Sequence, residues 1–414
     1  MDPHVLGTAA VLPEHYVDQE TLIAAFRDAW AEKHFNAARL EQLHRAVQVS
    51  GRHLALPLER YRELRSFAAR NDAWIAAATD LGEKAVRAAL MRADLKPSDV
   101  EHLVFVTVTG LSTPSIDARL MERLGLRPDV KRTPIFGLGC VAGATGLVRA
   151  ADAVRAHPGG VAALLAVELC SLTLQREDLS VANLIASGLF GDGAACVLVG
   201  AERPRRGPSI VATRSVFYPG TERVMGWDIV ESGFKVVLSP QVPHLVRARI
   251  REDVDAFLAT QGVSRQEIRH FICHTGGPRV LEAFEEALEL PAEALARTWE
   301  SLRSVGNLSS ASVLFVLRDL LDSGEAKGGD LGLPSSCTVP SRALWGGSPS
   351  LPSCSRKDCA TGPSRRSAID GTCASSWCPG RCRSRAGPTA SSAIPTISRS
   401  PWRSSPCPSC TAPT

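Results

Sequence analysis

The stretch that decides the fold is TPIFGLGCVAGATGLVRAADAV, at residues 133–154. A β-type run leads into Gly137-Leu-Gly139-Cys140, and a segment with helical periodicity follows. The glycines permit a tight strand-to-helix turn and a close approach of substrate to the backbone. A cysteine at a helix N-terminus has a lowered pKa, and the free N–H groups there bind an oxyanion. The same stretch is compatible with a small buried cysteine that fills a crowded turn.

The segments around this stretch predict an α/β architecture. Apolar positions recur with helical spacing, and short β-type runs that are apolar on both faces lie between them, which indicates a sheet covered by helices on both sides. The predicted helices are 17–46, 72–92, 115–124, 141–157, 180–189, 242–261, 278–289 and 308–322, and the predicted strands are 103–109, 161–169, 194–200, 209–217 and 270–274. The Pro-, Arg- and Gly-rich stretch 201–209 is interpreted as the connector between two α/β halves, although no sequence repeat relates them.

Two further segments place polar residues at the ends of elements. In FICHTGGPRVLEAFEEAL (271–288), a β-type run ends at His274 above a glycine turn. A histidine there can act as acid, base or imidazolium partner, but it can equally be satisfied by the backbone. In SVGNLSSASVLFVL (304–317), Asn307 precedes a helix, and an N-cap is the ordinary explanation for such a residue.

Taken together, the blocks of the chain resemble a known family. They are, in order, TGLSTPSIDARL, GLGCVAGATGL, LFGDGAACVLVG, CHTGGPRVLEAF and SVGNLSSASVLFVLRDLL. The chain is similar over nearly all of residues 1–333 to the type III polyketide synthases, the chalcone-synthase-like branch of the thiolase superfamily. The resemblance implies a thiolase-like α/β fold in which two similar halves, 1–200 and 201–333, form a layered α-β-α-β-α sandwich.

The resemblance also implies the chemistry. Cys140 matches the nucleophile that carries the acyl group, His274 its imidazolium partner, and Asn307 the amide that assists decarboxylation. The expected substrates are an acyl-CoA starter and malonyl-CoA, and the expected products are a pyrone, a resorcinol or a related aromatic compound. The resemblance implies a homodimer and requires no metal and no cofactor, because the CoA thioesters are substrates.

The pocket residues are carried over in the same way. Phe190 and Phe234 match the family's two gatekeeper phenylalanines between the CoA tunnel and the cavity, with core packing as the alternative. Thr173 falls in the starter pocket and Ser309 in the cyclisation cavity. For the CoA phosphates, Arg45 and Arg52 lie in the region where the family offers basic residues, although a solvated charged face explains them equally well.

Two other functions remain open at this point. A ketoacyl-ACP synthase of the initiating type also uses Cys, His and Asn on the same fold. The sequence is also compatible with an inactive truncated remnant. LFGDGAA with Phe190, and the HTGGPR form of the histidine block, favour the polyketide synthase.

Charge and cysteine content divide the chain near residue 333. Residues 1–333 carry 37 Lys+Arg against 41 Asp+Glu, whereas residues 334–414 carry 10 against 2. The folded part therefore gives no reason to expect nucleic-acid binding. Four scattered cysteines before residue 333 are not a disulfide framework. No apolar run approaches the ~18 residues of a membrane span, and the acidic start is unlike a secretory signal, so we expect a soluble cytoplasmic protein.

The tail from Pro334 onward is a different kind of sequence, with 19 Ser and 12 Pro in 81 residues. It is interpreted as a natural low-complexity tail, as a metal module built on cysteines such as Cys373 and Cys378, or as translation in the wrong frame, which we favour. The family's closing glycine-rich loop and final apolar strand are missing after Leu333. This absence predicts a poorly soluble or inactive polypeptide with an intact catalytic constellation.

Overall fold

Strands alternate with helices through most of the chain, as the sequence predicts. The computed structural model describes residues 2–30, 36–201 and 207–335, and the backbone alone of 341–346. The strands are β1 (His4–Val11), β2 (His15–Asp18), β3 (Gly51–Leu54), β4 (Val100–Thr107), β5 (Lys131–Phe136), β6 (Val161–Leu169), β7 (Asp192–Gly200), β8 (Ser209–Ser215), β9 (Met225–Val230), β10 (Gly233–Leu238), β11 (Ile268–Cys273), β12 (Leu331–Ser335) and β13 (Ser341–Gly346). The helices are α1 (Gln19–Trp30), α2 (Ala37–Ala46), α3 (Phe67–Ala93), α4 (Ile116–Leu124), α5 (Ala142–Ala156), α6 (Val181–Leu189), α7 (Val242–Ala259), α8 (Pro278–Leu288), α9 (Ala296–Val305) and α10 (Ser312–Ser323).

A nine-stranded mixed sheet runs through residues 4–346 in the order β11-β12-β13-β8-β1-β7-β6-β4-β5. Strands β4, β5 and β6 are parallel, as are β11 and β12, while β1 and β6 flank β7 in antiparallel fashion. The early and late parts of the sheet meet where β1 pairs with β8, at His4 and Ser209. The predicted connector 201–209 thus leads from β7 into β8, although residues 202–206 lie outside the described residues.

The core clusters show five layers. Helices α5 and α10 pack between the two parts of the sheet, against strand residues such as Val104, Val197 and Ile272. Helix α3 covers the outer face of the β1–β7 part, and α7 and α8 cover the outer face of the β11–β12 part. This arrangement confirms the predicted α-β-α-β-α sandwich.

Several element boundaries differ from the prediction. The helix expected over 17–46 is two described helices, α1 and α2, and the helix expected from 308 begins at Ser312 because residues 309–311 form a 3-10 turn. Helix α9 and the hairpin β9–β10 were not predicted, since short amphipathic segments carry little periodic signal. No helix of the described residues is both long and apolar enough to cross a membrane.

The expectation that no strand follows Leu333 is wrong. Strand β12 continues to Ser335, and β13 is paired antiparallel with both β12 and β8. A backbone segment therefore fills the sheet position that we expected to be empty. Residues 336–340 and 347–414 lie outside the described residues, including the tail cysteines Cys373 and Cys378.

Candidate active site

Cys140 lies on the strand–turn–helix unit that the sequence predicts. Strand β5 ends at Phe136. Gly137 and Gly139 follow it with backbone φ angles of 95° and 64°, which residues with a Cβ rarely adopt. The 3-10 turn Gly139–Val141 then leads directly into α5. Cys140 is 6% exposed and sits at the junction of turn and helix.

The loop before α10 brings Asn307 and Ser309 to the same place. Asn307 is tied by its backbone to the residues around Phe190, donating to Leu189 O at 2.9 Å. Its side-chain Oδ1 accepts from Ser309 N at 2.8 Å, a local contact at the start of the 3-10 turn, whereas the N-cap of α10 is Ala311. The Nδ2 amide of this fully buried residue has no hydrogen-bond partner among the described residues.

Ser309 connects this loop to the cysteine. Its Oγ lies 3.6 Å from the Cys140 Sγ. Its φ of 48° is left-handed, a strained conformation for a residue with a Cβ, and such strain concentrates at functional sites. The resemblance placed Ser309 in the cavity wall, and the structure places it in direct contact with the thiol.

His274 directly follows β11 and is fully buried. Neither of its ring nitrogens has a hydrogen-bond partner within the described part of the chain, which removes the alternative of a histidine satisfied by backbone. The next residue, Thr275, donates to Ser312 Oγ at 2.8 Å, and Ser312 Oγ in turn lies 3.5 Å from Asn307 Oδ1. These links place the histidine loop beside the asparagine loop.

Burial decides the charge state of both groups. Burial raises the pKa of the Cys140 thiol to about 12, the Ser309 hydrogen bond opposes this rise, and the Glu168 charge adds to it. Burial lowers the pKa of His274 to about 4. The expectation that the pKa of Cys140 is lowered is therefore wrong for this structure. Among the described residues, no hydrogen bond joins Cys140 to His274. Both groups are neutral at neutral pH.

Sequence reasoning missed Glu168, a fully buried carboxylic acid behind Cys140. It accepts hydrogen bonds from Val108 N at 3.1 Å, from Thr109 Oγ1 at 2.9 Å and from Ser310 Oγ. Burial raises its pKa to about 7, against the effect of these donors. A lone acidic residue inside the apolar run of β6 was the available signal, because such residues are almost never fully buried without a partner.

Two cavities meet at Phe190. The smaller, about 360 Å³, is lined by Cys140 and Ser309, and the larger, about 500 Å³, is lined by Thr173 and Phe234. Phe190 lines both cavities, and its role as a gatekeeper stays a prediction. Thr173 donates to Cys170 O at 2.7 Å, so its hydroxyl is engaged within the wall of the larger cavity.

Arg52 is a structural residue. It is 1% exposed, and its guanidinium donates to Ser187 O at 2.9 Å, to Phe190 O at 3.1 Å and to Gln19 Oε1 at 2.6 Å. The nearby Asp192 carboxylate stabilises its charge. The hypothesis that Arg52 binds CoA phosphates is therefore wrong, because its donors fix the backbone of the gatekeeper segment instead.

Arg45 lies on the surface at the end of α2. It forms ion pairs with Glu20 at 2.6 Å and with Glu41 at 3.0 Å. Its contacts agree with a solvated charged face, and its assignment to CoA stays a prediction.

Comparisons with known proteins agree with this geometry. The family model for the N-terminal domain of chalcone and stilbene synthases matches residues 3–203, and the model for their C-terminal domain matches residues 209–333. A 1,3,6,8-tetrahydroxynaphthalene synthase of Streptomyces peucetius subsp. caesius is 48% identical over 320 residues, covering 76% of this chain and 85% of that protein. A putative chalcone synthase of Bacillus subtilis (strain 168) is 38% identical over 341 residues, covering 80% of this chain and 93% of that protein.

Solved structures show the same fold. The crystal structure of 1,3,6,8-tetrahydroxynaphthalene synthase from Streptomyces coelicolor A3(2) superposes with a TM-score of 0.78 at 29% identity, covering 84% of this chain and 99% of that one. Germicidin synthase from the same species, a type III polyketide synthase, superposes with a TM-score of 0.76 at 26% identity, covering 84% and 99% of the two chains. The chain belongs to the chalcone and stilbene synthase family and is a type III polyketide synthase, an acyltransferase of a family that uses CoA thioesters.

Proposed function

We propose that Cys140 carries the acyl group through the reaction. Its sulfur attacks the carbonyl carbon of an acyl-CoA, the C–S bond to CoA breaks, and CoA leaves as the thiol with the proton that His274 takes from Cys140. The cysteine proton moves to His274, a neutral base at physiological pH. Burial opposes this charge separation, and the attraction between the resulting thiolate and imidazolium at short range offsets that cost.

His274 and Asn307 then serve the extension step. Malonyl-CoA loses CO2 when its carboxylate C–C bond breaks, and the electron pair remains as an enolate. The enolate oxygen needs donors that are already in place. The observation that carries this proposal is the set of buried donors without partners, which are the His274 ring and the Asn307 Nδ2. The enolate carbon then attacks the thioester on Cys140 and releases the sulfur.

The product is proposed to be an aromatic polyketide of the tetrahydroxynaphthalene kind. The Streptomyces peucetius relative bears that name at 48% identity, and the cavity beside Cys140 encloses about 360 Å³. An alkylpyrone made from a fatty acyl starter is the second candidate, and the larger cavity beyond Phe190 favours it, since an acyl chain needs apolar space.

Incubation of the purified enzyme with malonyl-CoA alone, with and without acyl carrier protein, tests the proposal. We expect coloured aromatic or pyrone products without carrier protein, and we expect their loss in Cys140→Ala. Cys170→Ala is the matched control, since Cys170 is a second buried thiol beside the site. Strict dependence on carrier protein would overturn the assignment, and a complete lack of product would support the inactive remnant.

Four broader proposals accompany this function. We propose a homodimer, which light scattering on the purified chain tests, and a cytoplasmic location, which fractionation of expressing cells tests. We also propose that residues 1–200 and 201–333 are related halves and that 334–414 is a low-complexity tail, of which residues 341–346 pair in the sheet. The wrong-frame origin of that tail is tested by resequencing the 3′ end of the gene and by the intact mass of the protein.

A further inference from the structure

The larger cavity changes character between its buried and exposed walls. The buried part is apolar, with Leu22, Leu54, Phe234 and Val236 among its lining residues. The exposed part carries charged side chains from two segments. A chain of methylene groups fits the buried apolar part. An anionic group fits the exposed part only where cationic side chains outnumber acidic ones.

Cationic side chains outnumber acidic ones in the exposed part of the larger cavity. The charged lining residues there are Arg62, Arg65 and Arg176, together with Glu59 and Glu177. Among the described residues this leaves one net positive charge. Arg52 also lines the cavity, but the negative charge of the nearby buried Asp192 offsets its positive charge.

The arginines crowd one another. Arg176 donates to the backbone carbonyls of Tyr61 and Arg62, which holds its guanidinium against the turn that carries Arg62 and Arg65. Burial, and then the charges of Arg65 and Arg62, lower the pKa of Arg176. An anion placed between these side chains relieves their repulsion.

The cavity also lies within reach of the nucleophile. Phe190, Trp227 and Val236 line both the larger cavity and the cavity that contains Cys140, so a single layer of side chains separates them. An acyl group on Cys140 that extends past Phe190 enters the larger cavity, whose exposed part the arginines line.

We propose that the larger cavity accepts acyl chains that carry a carboxylate at their far end, and that Arg62 and Arg65 determine this specificity. The inference rests on the proposed function, since it assumes a CoA thioester that loads Cys140. One net positive charge balances one carboxylate, whereas CoA carries several negative phosphate charges. Binding of CoA phosphates at the same arginines is the alternative that the experiment must separate.

The experiment compares matched pairs of substrates. Suberoyl-CoA and octanoyl-CoA have eight-carbon acyl groups and differ only in the terminal carboxylate. Their dissociation constants are measured by calorimetry on full-length Cys140→Ala, which binds without turnover, and acylation of the wild-type enzyme is followed by mass spectrometry. We expect suberoyl-CoA to bind about tenfold more tightly, the size of two partly exposed ion pairs acting together.

Variants separate the two sources of negative charge. Arg62→Ala with Arg65→Ala, in the Cys140→Ala background, should remove the preference for suberoyl-CoA and leave octanoyl-CoA binding unchanged. Arg60→Ala is the control, since Arg60 lies on the same turn and pairs with Glu63 at 2.8 Å. Equal weakening of both ligands would assign the arginines to CoA phosphates and overturn the inference. Equal affinity of the two ligands for the parent protein would also overturn it. Failure of both thioesters to acylate the wild-type enzyme counts against the proposed function instead, because the binding comparison is independent of acylation.

Discussion

Gly143, in the first turn of α5, packs directly against the loop that carries Ser309. A Cβ built on Gly143 would lie 2.0 Å from the Ser310 carbonyl oxygen and 2.9 Å from Val313 Cγ1. An ordinary C···O contact needs about 3.3 Å, so Gly143→Ala must push the loop and the helix apart by roughly 1.3 Å. The obstacle is backbone, which cannot rotate away as a side chain can.

In the wild-type structure the Cys140 Sγ and the Ser309 Oγ lie 3.6 Å apart, and this shift moves them further apart. A displacement of about 1 Å near reacting groups costs roughly a hundredfold in rate, or about 2.7 kcal/mol. Overpacking should also lower the free energy of unfolding by about 1–3 kcal/mol. We therefore expect a folded Gly143→Ala variant with kcat/KM for malonyl-CoA reduced about a hundredfold.

Gly146→Ala, one turn further along α5, is the matched control. Its Cβ would lie 2.4 Å from Leu164 Cδ1, a side-chain methyl in the sheet rather than backbone of the site. It should lose comparable stability in a thermal unfolding assay while its kcat/KM stays within about threefold of wild type. Wild-type turnover in Gly143→Ala, or an equal loss of turnover in both variants, would refute the reasoning.

Two further predictions concern buried charges. Arg52→Ala leaves the buried acceptors Ser187 O, Phe190 O and Gln19 Oε1 without their donor and should lower the free energy of unfolding in urea by about 3–5 kcal/mol. Arg45→Ala should change it by no more than about 0.5 kcal/mol, and equal effects of the two variants would contradict the structural role of Arg52. Glu168 has a folded-state pKa of about 7, above the 4.5 of an ordinary glutamate, so the stability it contributes is full below pH 4.5 and is lost as the pH rises through 7. The urea midpoint of Glu168→Gln should therefore gain on that of wild type between pH 5 and pH 8, and a constant difference across this range would show that Glu168 does not titrate there.

Local patterns predict the unit around Cys140 because the signals lie within a few residues. Glycines on both sides of the cysteine, a preceding β-type run and a following amphipathic segment specify the turn and α5. The end of β11 at Cys273, just before His274, follows from the same kind of signal. The resemblance then added what local pattern lacks, which is that Cys140, His274 and Asn307 belong to one site.

Long-range packing explains what the sequence did not reveal. The local sequence around Arg52 is typical of an exposed cation. Only the packing of α6 beside it buries the side chain against the backbone of Ser187 and Phe190. The direction of the Cys140 pKa shift was mispredicted for the same reason, since the helix dipole is local whereas desolvation depends on the whole surrounding core. Strand β13 was missed because serine- and proline-rich sequence carries no period-2 signal, while the gap between β12 and β8 favours any segment that can pair there.

The most direct test of the account is to find which residue becomes acylated. The purified enzyme is incubated with radiolabelled acyl-CoA, quenched in acid and digested, and the labelled peptide is mapped by mass spectrometry. The account predicts label on the peptide containing Cys140, close to one acyl group per chain, absent from Cys140→Ala and unchanged in Cys170→Ala. Label on Cys170, or undiminished polyketide synthesis by Cys140→Ala, would contradict the central claim that Cys140 is the acyl-carrying nucleophile.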